Sequence, residues 1–114
     1  MGRRKIGLTR AAEDALAVLG QQIRMARASR GMTAEQLAAS AGISPTTLSA
    51  IEHGKAATSI GNVFNVATIV GVPLFGVDDP SELIALRRRG EERLALLPSR
   101  VERPRQDKDD GLDF

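Results

Sequence analysis

The chain has 114 residues and a net charge of +2, which predicts one domain with at most a small appendage. It contains no cysteine, which excludes disulfides, thiol catalysis and thiolate metal sites and favours a reducing, cytoplasmic location. Aromatic residues make up only 3% of the chain, all of them Phe, so we expect an aliphatic core built from packed helices.

The N-terminal segment MGRRKIGLTR, residues 1–10, predicts a flexible basic arm that carries Arg3, Arg4 and Lys5. It lacks the apolar centre of a signal peptide, and no run of the chain has the length of a membrane span, so we expect no membrane partner. A first helix is predicted over residues 11–30, ended by Gly31. Its inward-facing residues recur at steps of three and four, and they are Leu16, Leu19, Ile23 and Ala26.

The second helix has clear signals at both ends. Thr33 with Gln36 three residues later is a capping box, in which each residue's side chain bonds to the backbone N–H of the other. Gly42 ends the helix, because glycine adopts the left-handed conformation that closes a helix without strain. The residues predicted to be buried in between are Leu37, Ala38 and Ala41.

The third helix is predicted within the stretch GISPTTLSAIEHG, residues 42–54. Ser44 is a good N-cap, Pro45 suits the first helical position, and Gly54 ends the helix. Only Leu48 and Ile51 are strongly apolar, so a single narrow stripe is buried. The opposite face carries small or polar side chains, namely Thr46, Ser49, Ala50 and His53.

Two further helices complete the predicted fold. Ser59 caps the fourth, Gly71 ends it, and its inward-facing residues are Ile60, Val63, Phe64, Ala67 and Val70. The following VPLFGV is expected to fold back over the core. A capping box at residues 79–82 opens a fifth helix toward Leu97, in which Gly90 costs about 1 kcal/mol relative to Ala. Its apolar residues share one face, and they are Leu83, Leu86, Leu94 and Leu97.

The C-terminal residues 98–114 are rich in proline and in charge of both signs, which predicts a disordered tail. Leu112 and Phe114 are apolar anchors within it that suit binding to a partner. The predicted organisation is therefore a basic arm (residues 1–10), one all-α domain with a dimerisation helix (residues 11–97) and a disordered tail (residues 98–114). No strand and no internal repeat is expected.

The second and third helices, joined by a tight turn at residues 42–43, predict a helix-turn-helix. Residues 1–55 hold eight basic and four acidic residues, which is typical of a polyanion-binding surface. A helix with short side chains fits the major groove and brings its N-terminus near base edges and phosphates. The candidate DNA-binding residues are Arg3, Arg4, Lys5, Gln36, Ser44, Pro45, Thr46, Thr47, Ser49, Ala50, His53 and Lys55.

Part of the chain resembles the Cro/cI-type (Xre) helix-turn-helix domain. The resemblance lies in the stretch LGQQIRMARASRGMTAEQLAASAGISPTTLSAIEHGK, followed by NVFNVATIVGV. The resemblance implies a five-helix, lambda-repressor-like domain that binds double-stranded operator DNA as a homodimer. It also implies that Arg27 and Glu52 pair, tying the first helix to the recognition helix. Three positions depart from the family pattern, because Ala34, Pro45 and Ala50 stand where long polar side chains are common. Base discrimination is therefore expected to be modest and to depend on hydroxyls, methyl contacts and DNA shape.

The overall layout is similar to that of HipB-like antitoxins, which implies a repressor that autoregulates its operon and binds a HipA-like serine/threonine kinase toxin. The leucines of the fifth helix would then form a dimer or partner contact, together with Leu112 and Phe114. Two alternatives remain open. In the first, the chain is a stand-alone or phage-like Xre regulator. In the second, it is an interaction adaptor that kept the fold without reading DNA.

Other chemistries find little support in the sequence. His53 is the only histidine, so a metal site has no second nitrogen or sulfur ligand, and no Ser–His–Asp arrangement is plausible. No glycine-rich phosphate loop follows a strand, so no cofactor is expected. The scarcity of aromatic residues also argues against the base-stacking surfaces of single-stranded DNA and RNA binders. We therefore expect no enzymatic activity.

Overall fold

The computed structural model describes residues 7–99, which form five α-helices and no strand. Their bounds are α1 Arg10–Ser29, α2 Ala34–Ala41, α3 Pro45–Glu52, α4 Ile60–Ile69 and α5 Pro80–Ala95. The expectation of an all-α chain with five helices is confirmed. Predictions made for Arg3, Arg4, Lys5, Leu112 and Phe114 concern positions outside the described residues, as does most of the tail.

The chain divides into two compact units, the first ending at Asp79 and the second beginning at Pro80. The first unit contains α1 to α4, and the second contains α5. The predicted domain of residues 11–97 spans both units, and α5 lies in the second.

Each helix of the first unit begins with a hydroxyl cap. In each helix the hydroxyl oxygen of the capping residue accepts a hydrogen bond from the backbone N–H three residues later. The capping residues are Thr9, Thr33, Ser44 and Ser59. The capping box predicted at Thr33 is complete, since Gln36 Oε1 accepts the Thr33 N–H at 2.9 Å. Helix α1 begins one residue earlier than predicted, because the Thr9 hydroxyl caps it. Thr9 and Arg10, the last two residues of the predicted arm, therefore form the cap and the first residue of α1.

Glycines end α2 and α3 in the left-handed conformation, as expected. Gly42 has φ 70° and Gly54 has φ 68°. After α3, the Gly54 N–H donates to the Ile51 carbonyl at 3.0 Å and the Lys55 N–H to the Ala50 carbonyl at 2.9 Å. This pair of bonds is a Schellman motif, which satisfies carbonyls at the end of α3.

The core of the first unit is aliphatic, in agreement with the composition. Its buried members come from all four helices and from the segment after α4, and they are Ile23, Leu37, Ala38, Leu48, Ile51, Val63, Val66, Ala67, Val70 and Val72. The other apolar residues predicted to face inward from α1, Leu16, Leu19 and Ala26, are half-buried. The stripe predicted for α3 is therefore confirmed, and that of α1 is centred on Ile23. In α2 the prediction is confirmed for Leu37 and Ala38, whereas Ala41 is half-buried.

The buried face of α4 differs from the prediction. Ile60 is 70% exposed, whereas Val66, which was not predicted to face inward, is completely buried. Phe64 is half-buried and meets Phe75 edge to face, with ring centroids 5.9 Å apart. Apolar residues cover more of the α4 surface than the core can contact. The residues that pack against the core lie between Val63 and Val70, and Ile60 in the first turn stays exposed to solvent.

The segment after α4 folds back as a tight turn. Leu74 and Val77 form an isolated antiparallel bridge, and the two residues between them have positive φ, 55° for Phe75 and 73° for Gly76. Positive φ at both positions is typical of a type I′ turn. Val72 is buried and Leu74 packs against the core, as expected, but Phe75 is 71% exposed.

Helix α5 lies in the second unit. None of its residues is buried, and it continues without a break through Gly90. It ends at Ala95, two residues before the predicted Leu97. On its surface Arg87 and Glu91 form an ion pair with Nε and Oε2 3.4 Å apart. No helix within residues 7–99 is both long and apolar enough to cross a membrane.

Candidate nucleic-acid interface

Helices α2 and α3 form the centre of the candidate interface. Leu37 and Ala38 of α2 and Leu48 of α3 are almost completely buried. The small Ala38 side chain and the left-handed turn at Gly42 allow the two short helices to pack closely. These contacts fix α3 to the core through one face only, which leaves its other face directed outward.

The outward face of α3 carries no long side chain. Pro45, Thr46, Ser49 and His53 are exposed, and Thr47 and Ala50 are half-buried. These are the side chains that the sequence analysis assigned to DNA contact. A surface of this shape allows the backbone of α3 to approach a groove closely.

Ser44 and Thr47 hold the N-terminus of α3. The Ser44 hydroxyl accepts the Thr47 N–H at 3.0 Å and donates to Thr47 Oγ1, also at 3.0 Å. Because both hydroxyls take part in the cap, the exposed hydroxyl of Thr46 is better placed for base contact. The exposed Ser49 Oγ lies 3.4 Å from His53 Nδ1.

His53 lies at the other end of α3. Its Nδ1 is 2.8 Å from the Ser49 carbonyl oxygen, so Nδ1 carries the proton and donates, and Nε2 is the ring atom left for another partner. His53 also lines a shallow groove of about 240 Å³ between α1 and the end of α3. The exposed Arg24 lines the same groove beside α3, as does Glu52.

Gln36 serves the N-terminus of α2. Its amide oxygen accepts the Thr33 N–H at 2.9 Å, so the carbonyl half of the side chain is engaged in the capping box. The amide NH₂ group can still donate hydrogen bonds, and the side chain is exposed. This geometry suits a phosphate oxygen better than the two-bond recognition of adenine, which requires both halves of the amide.

Arg27 and Glu52 form a bidentate ion pair between α1 and α3. Arg27 Nε lies 2.7 Å from Glu52 Oε2, and Arg27 Nη2 lies 3.0 Å from Oε1. Arg27 Nη1 also donates to the Met32 carbonyl at 3.1 Å. The side chains are only 16% and 6% exposed. The hydrogen bond to Glu52 raises the pKa of Arg27, against the opposing effect of burial. This pair anchors the end of the recognition helix.

Gly20 is a structural residue of the site that the sequence analysis did not identify. A Cβ atom at Gly20 would lie 2.6 Å from the carbonyl oxygens of both Ile51 and Glu52. Gly54 also lies close to α1, with its Cβ position 3.0 Å from the Ala17 backbone. The signal in the sequence was the pair of small residues Ala17 and Gly20 one turn apart on α1.

The basic residues near α3 are exposed. Lys55 lies three residues after the end of α3, and Arg24 lines the groove beside His53. Among residues 7–99, no three His, Asp or Glu side chains gather as they would around a metal ion. The chemistry available at this surface is therefore hydrogen bonding by hydroxyl, imidazole and amide groups, combined with positive charge.

Comparison with known proteins gives one match. The family model described as helix-turn-helix matches residues 23–77. The matched segment begins in α1, contains all of α2, α3 and α4, and ends at the last residue of the turn that exposes Phe75. No curated protein and no solved structure matches the chain. The match thus covers both helices of the candidate interface and stops before α5.

Proposed function

We propose, from the match of residues 23–77 to the helix-turn-helix family model, that the chain is a Cro/cI-type transcription regulator and a sequence-specific repressor that binds double-stranded operator DNA. In this proposal α3 enters the major groove and the N-terminus of α2 faces the phosphate backbone. The observation that carries it is the outward face of α3, which is free of long side chains and flanked by basic residues.

The proposed contacts divide into two kinds. Thr46 and Ser49 donate or accept hydrogen bonds at base edges, and the methyl of Ala50 meets a thymine methyl. Gln36 and Lys55 contact phosphates, as do Arg3, Arg4 and Lys5 of the N-terminal segment. Because phosphate contacts outnumber base contacts, affinity should depend strongly on salt and only moderately on sequence.

The experiment is a binding titration against the promoter fragment upstream of the gene, at several salt concentrations. Lys55→Ala should weaken binding to all sequences and reduce the slope of log K against log salt by about 0.9, the value for one released counterion. The double variant Thr46→Ala, Ser49→Ala should lower preference for the operator over unrelated DNA. Ser40→Ala is the matched control, since it removes an exposed hydroxyl from α2 rather than α3.

An interaction adaptor is the second candidate function. Ala34, Pro45 and Ala50 favour it, because each lacks the side chain with which the family commonly reads bases. An adaptor would give no salt-dependent retardation of any double-stranded fragment. Binding that is salt-dependent but equal for all sequences would instead indicate a non-specific DNA-binding protein.

We further propose a HipB-like antitoxin role, with a HipA-like kinase toxin as the second partner. The support is the layout of the sequence, in which an acidic tail ending in DDGLDF follows a single DNA-binding domain. Deleting residues 106–114 should abolish association with the toxin encoded by a neighbouring gene and leave operator binding intact. A tail-less protein that binds such a toxin at full affinity would refute this role.

A further inference from the structure

The groove of about 240 Å³ between α1 and the end of α3 presents hydrogen-bond donors and positive charge. Gln21 and Arg24 line it from α1, where they lie one turn apart, and His53 lines it from the end of α3. All three side chains are exposed. Ala17 also lines the groove, and its small side chain leaves the space open. The DNA contacts proposed for α2 and α3 use neither Gln21 nor Arg24.

The acidic residue at this groove, Glu52, is already compensated. Both of its carboxylate oxygens accept hydrogen bonds from Arg27, at 2.7 and 3.0 Å, and its side chain is only 6% exposed. Arg24, by contrast, has no ion-pair partner within residues 7–99. The charge that the groove offers to a ligand is therefore the guanidinium of Arg24, which attracts an anion.

His53 can add a second positive group, and the geometry of its ring determines when it does so. Nδ1 lies 2.8 Å from the Ser49 carbonyl oxygen, which can only accept a hydrogen bond, so Nδ1 carries the proton of the neutral ring. Nε2 of the neutral ring then has a lone pair and no proton, and this lone pair repels the oxygens of an anion. In the protonated ring Nε2 donates as well. Only protonated His53 can therefore bind an anion through Nε2.

We propose that this groove binds one phosphate of the DNA backbone between Arg24 and protonated His53, so that DNA binding takes up a proton. The inference rests on the proposed function and assigns a phosphate contact to α1. Arg24 donates to the phosphate oxygens from one side and His53 Nε2 from the other, with the proton taken from solvent onto Nε2. A phosphate between the two cations replaces their mutual repulsion by two charge-assisted hydrogen bonds. With His53 neutral, one of these bonds is lost.

The place of the groove favours a phosphate over a base edge. Recognition helices of this kind reach base edges with their N-terminal residues, whereas His53 lies at the C-terminal end of α3. Thr46 and Ser49 precede it by about two turns and one turn. A neutral His53 would instead accept a hydrogen bond at Nε2 from the amino group of adenine or cytosine. That alternative predicts the opposite pH dependence, because protonation would then weaken binding.

Few charged groups surround His53. Arg24 lies on α1, Glu52 on α3 is paired with Arg27, and Lys55 follows two residues later. Histidine is the side chain that ordinarily changes its charge between pH 5 and 8, and His53 is the only histidine of the chain. A change of DNA affinity in this range that depends on residue 53 therefore reports the protonation of this imidazole.

The first test measures the affinity of the full chain for the promoter fragment at pH 6 and pH 8, at constant ionic strength. The wild type should bind about tenfold more tightly at pH 6, because one charge-assisted hydrogen bond is gained. His53→Asn keeps a donor near the Ser49 carbonyl but has no group at the place of Nε2. It should bind equally at both pH values, with the affinity that the wild type has at pH 8.

His53→Gln is the rescuing variant, because it carries an amide NH₂ at the place of Nε2 and donates without being protonated. It should also bind equally at both pH values, but more tightly than His53→Asn. Wild-type binding that is tighter at pH 8, or a pH dependence that persists in His53→Asn, overturns the proposal. Equal urea unfolding midpoints of the variants and the wild type show that the differences do not come from folding.

The second test concerns Arg24. Arg24→Ala should reduce the slope of log K against log salt by about 0.9 and reduce the effect of pH to less than about twofold, because the phosphate is no longer held beside His53. Arg30→Ala is the matched control, since Arg30 is an exposed arginine at the end of α1 whose guanidinium lies beside Gly71. It should keep the pH effect of the wild type. An Arg24→Ala chain with the salt slope and pH effect of the wild type overturns the proposal.

The third test identifies the phosphate itself. A methylphosphonate removes the charge of a single backbone position, and a scan along the fragment should find one position that abolishes the pH effect. The same substitution should have no further effect on the double variant Arg24→Ala, His53→Asn. A scan without such a position, or binding that depends on salt but not on pH, overturns this inference and leaves the DNA-binding function intact. A chain that binds no double-stranded DNA overturns both.

Discussion

At the scale of single residues, the ion pair between Arg27 and Glu52 connects the core to the recognition helix. Both guanidinium nitrogens that face Glu52 are within 3.0 Å of a carboxylate oxygen, and little of either side chain is exposed. The exposed pair of Arg87 and Glu91 on α5 is longer and has a single contact. Exposed pairs contribute about 0–1 kcal/mol, whereas breaking a buried pair on one side is much more costly.

We predict that Glu52→Ala lowers the free energy of unfolding by about 3 kcal/mol, because Arg27 keeps its charge in a mostly buried position. Urea unfolding is the measurement. Asp14→Ala, which removes an exposed carboxylate of α1, should change stability by less than about 0.5 kcal/mol. Loss of DNA binding at an unchanged unfolding midpoint would mean that Glu52 acts at the DNA surface.

The raised pKa of Arg27 determines the pH dependence of this pair. A basic group whose pKa is higher in the folded than in the unfolded protein stabilises the fold. Its full contribution to the free energy of unfolding is present at pH values below the unfolded pKa, and it is lost as pH rises through the folded pKa. For arginine both values lie far above neutrality. We therefore expect the stability difference between Glu52→Ala and the wild type to be constant between about pH 6 and 9.

Gly20 offers a prediction in which two effects have opposite signs. Helix propensity favours alanine over glycine by about 1 kcal/mol, but a Cβ at this position lies 2.6 Å from two backbone carbonyls. The backbone of α3 cannot yield as a flexible side chain would, so Gly20→Ala should destabilise the protein by about 1–3 kcal/mol. Gly61→Ala is the control, because its nearest neighbour is the Ser59 hydroxyl at 3.8 Å. That variant should be slightly more stable than the wild type.

At the scale of the elements, the sequence determined where helices begin and end better than which faces they bury. Caps are local, since Thr33, Ser44 and Gly54 act on residues within one turn, and their positions were predicted correctly. The buried face of α4 depends on the other helices, so Ile60 and Val66 were assigned the wrong way round. The close packing at Gly20 also depends on another helix, because the carbonyls of Ile51 and Glu52 that it meets are about 30 residues away in sequence.

The turn containing Phe75 shows a second limit of sequence reasoning. A bulky residue with positive φ is uncommon and costs about 1–2 kcal/mol, so neither propensity nor pattern would place Phe there. Gly76 indicates a turn in the sequence. It does not indicate that Phe75 shares the left-handed conformation. The edge-to-face contact with Phe64 is one interaction that offsets this strain.

The face of α3 suggests a variant with increased DNA selectivity. Ala50 stands where the family commonly has a long polar side chain, and its neighbours on the outward face are short. Ala50→Gln would supply the paired donor and acceptor that recognise adenine, which should favour one base by about 1–3 kcal/mol. Selection of binding sites from a random pool measures the change. Ala28→Gln, on the exposed surface of α1, should leave the selected sequence unaltered.

At the scale of the whole molecule, residues 1–55 hold eight basic and only four acidic residues, and three of the basic residues precede α1. Deleting residues 2–6 should lower DNA affinity for all sequences and reduce the salt slope by up to about 2.7, since three basic residues are removed. The deletion stops before Thr9, because removing that cap would also weaken α1. An unchanged salt slope would show that the segment makes no phosphate contact.

The residues that hold α3 in place and those that face outward are different residues. Leu48, Ile51 and Glu52 are buried, whereas Thr46 and Ser49 contribute nothing to the core. After a gene duplication, the two copies could therefore acquire different operators by substitution at the outward positions while folding equally well. New regulatory circuits could then arise from this scaffold in single mutational steps, without compensating changes elsewhere in the chain.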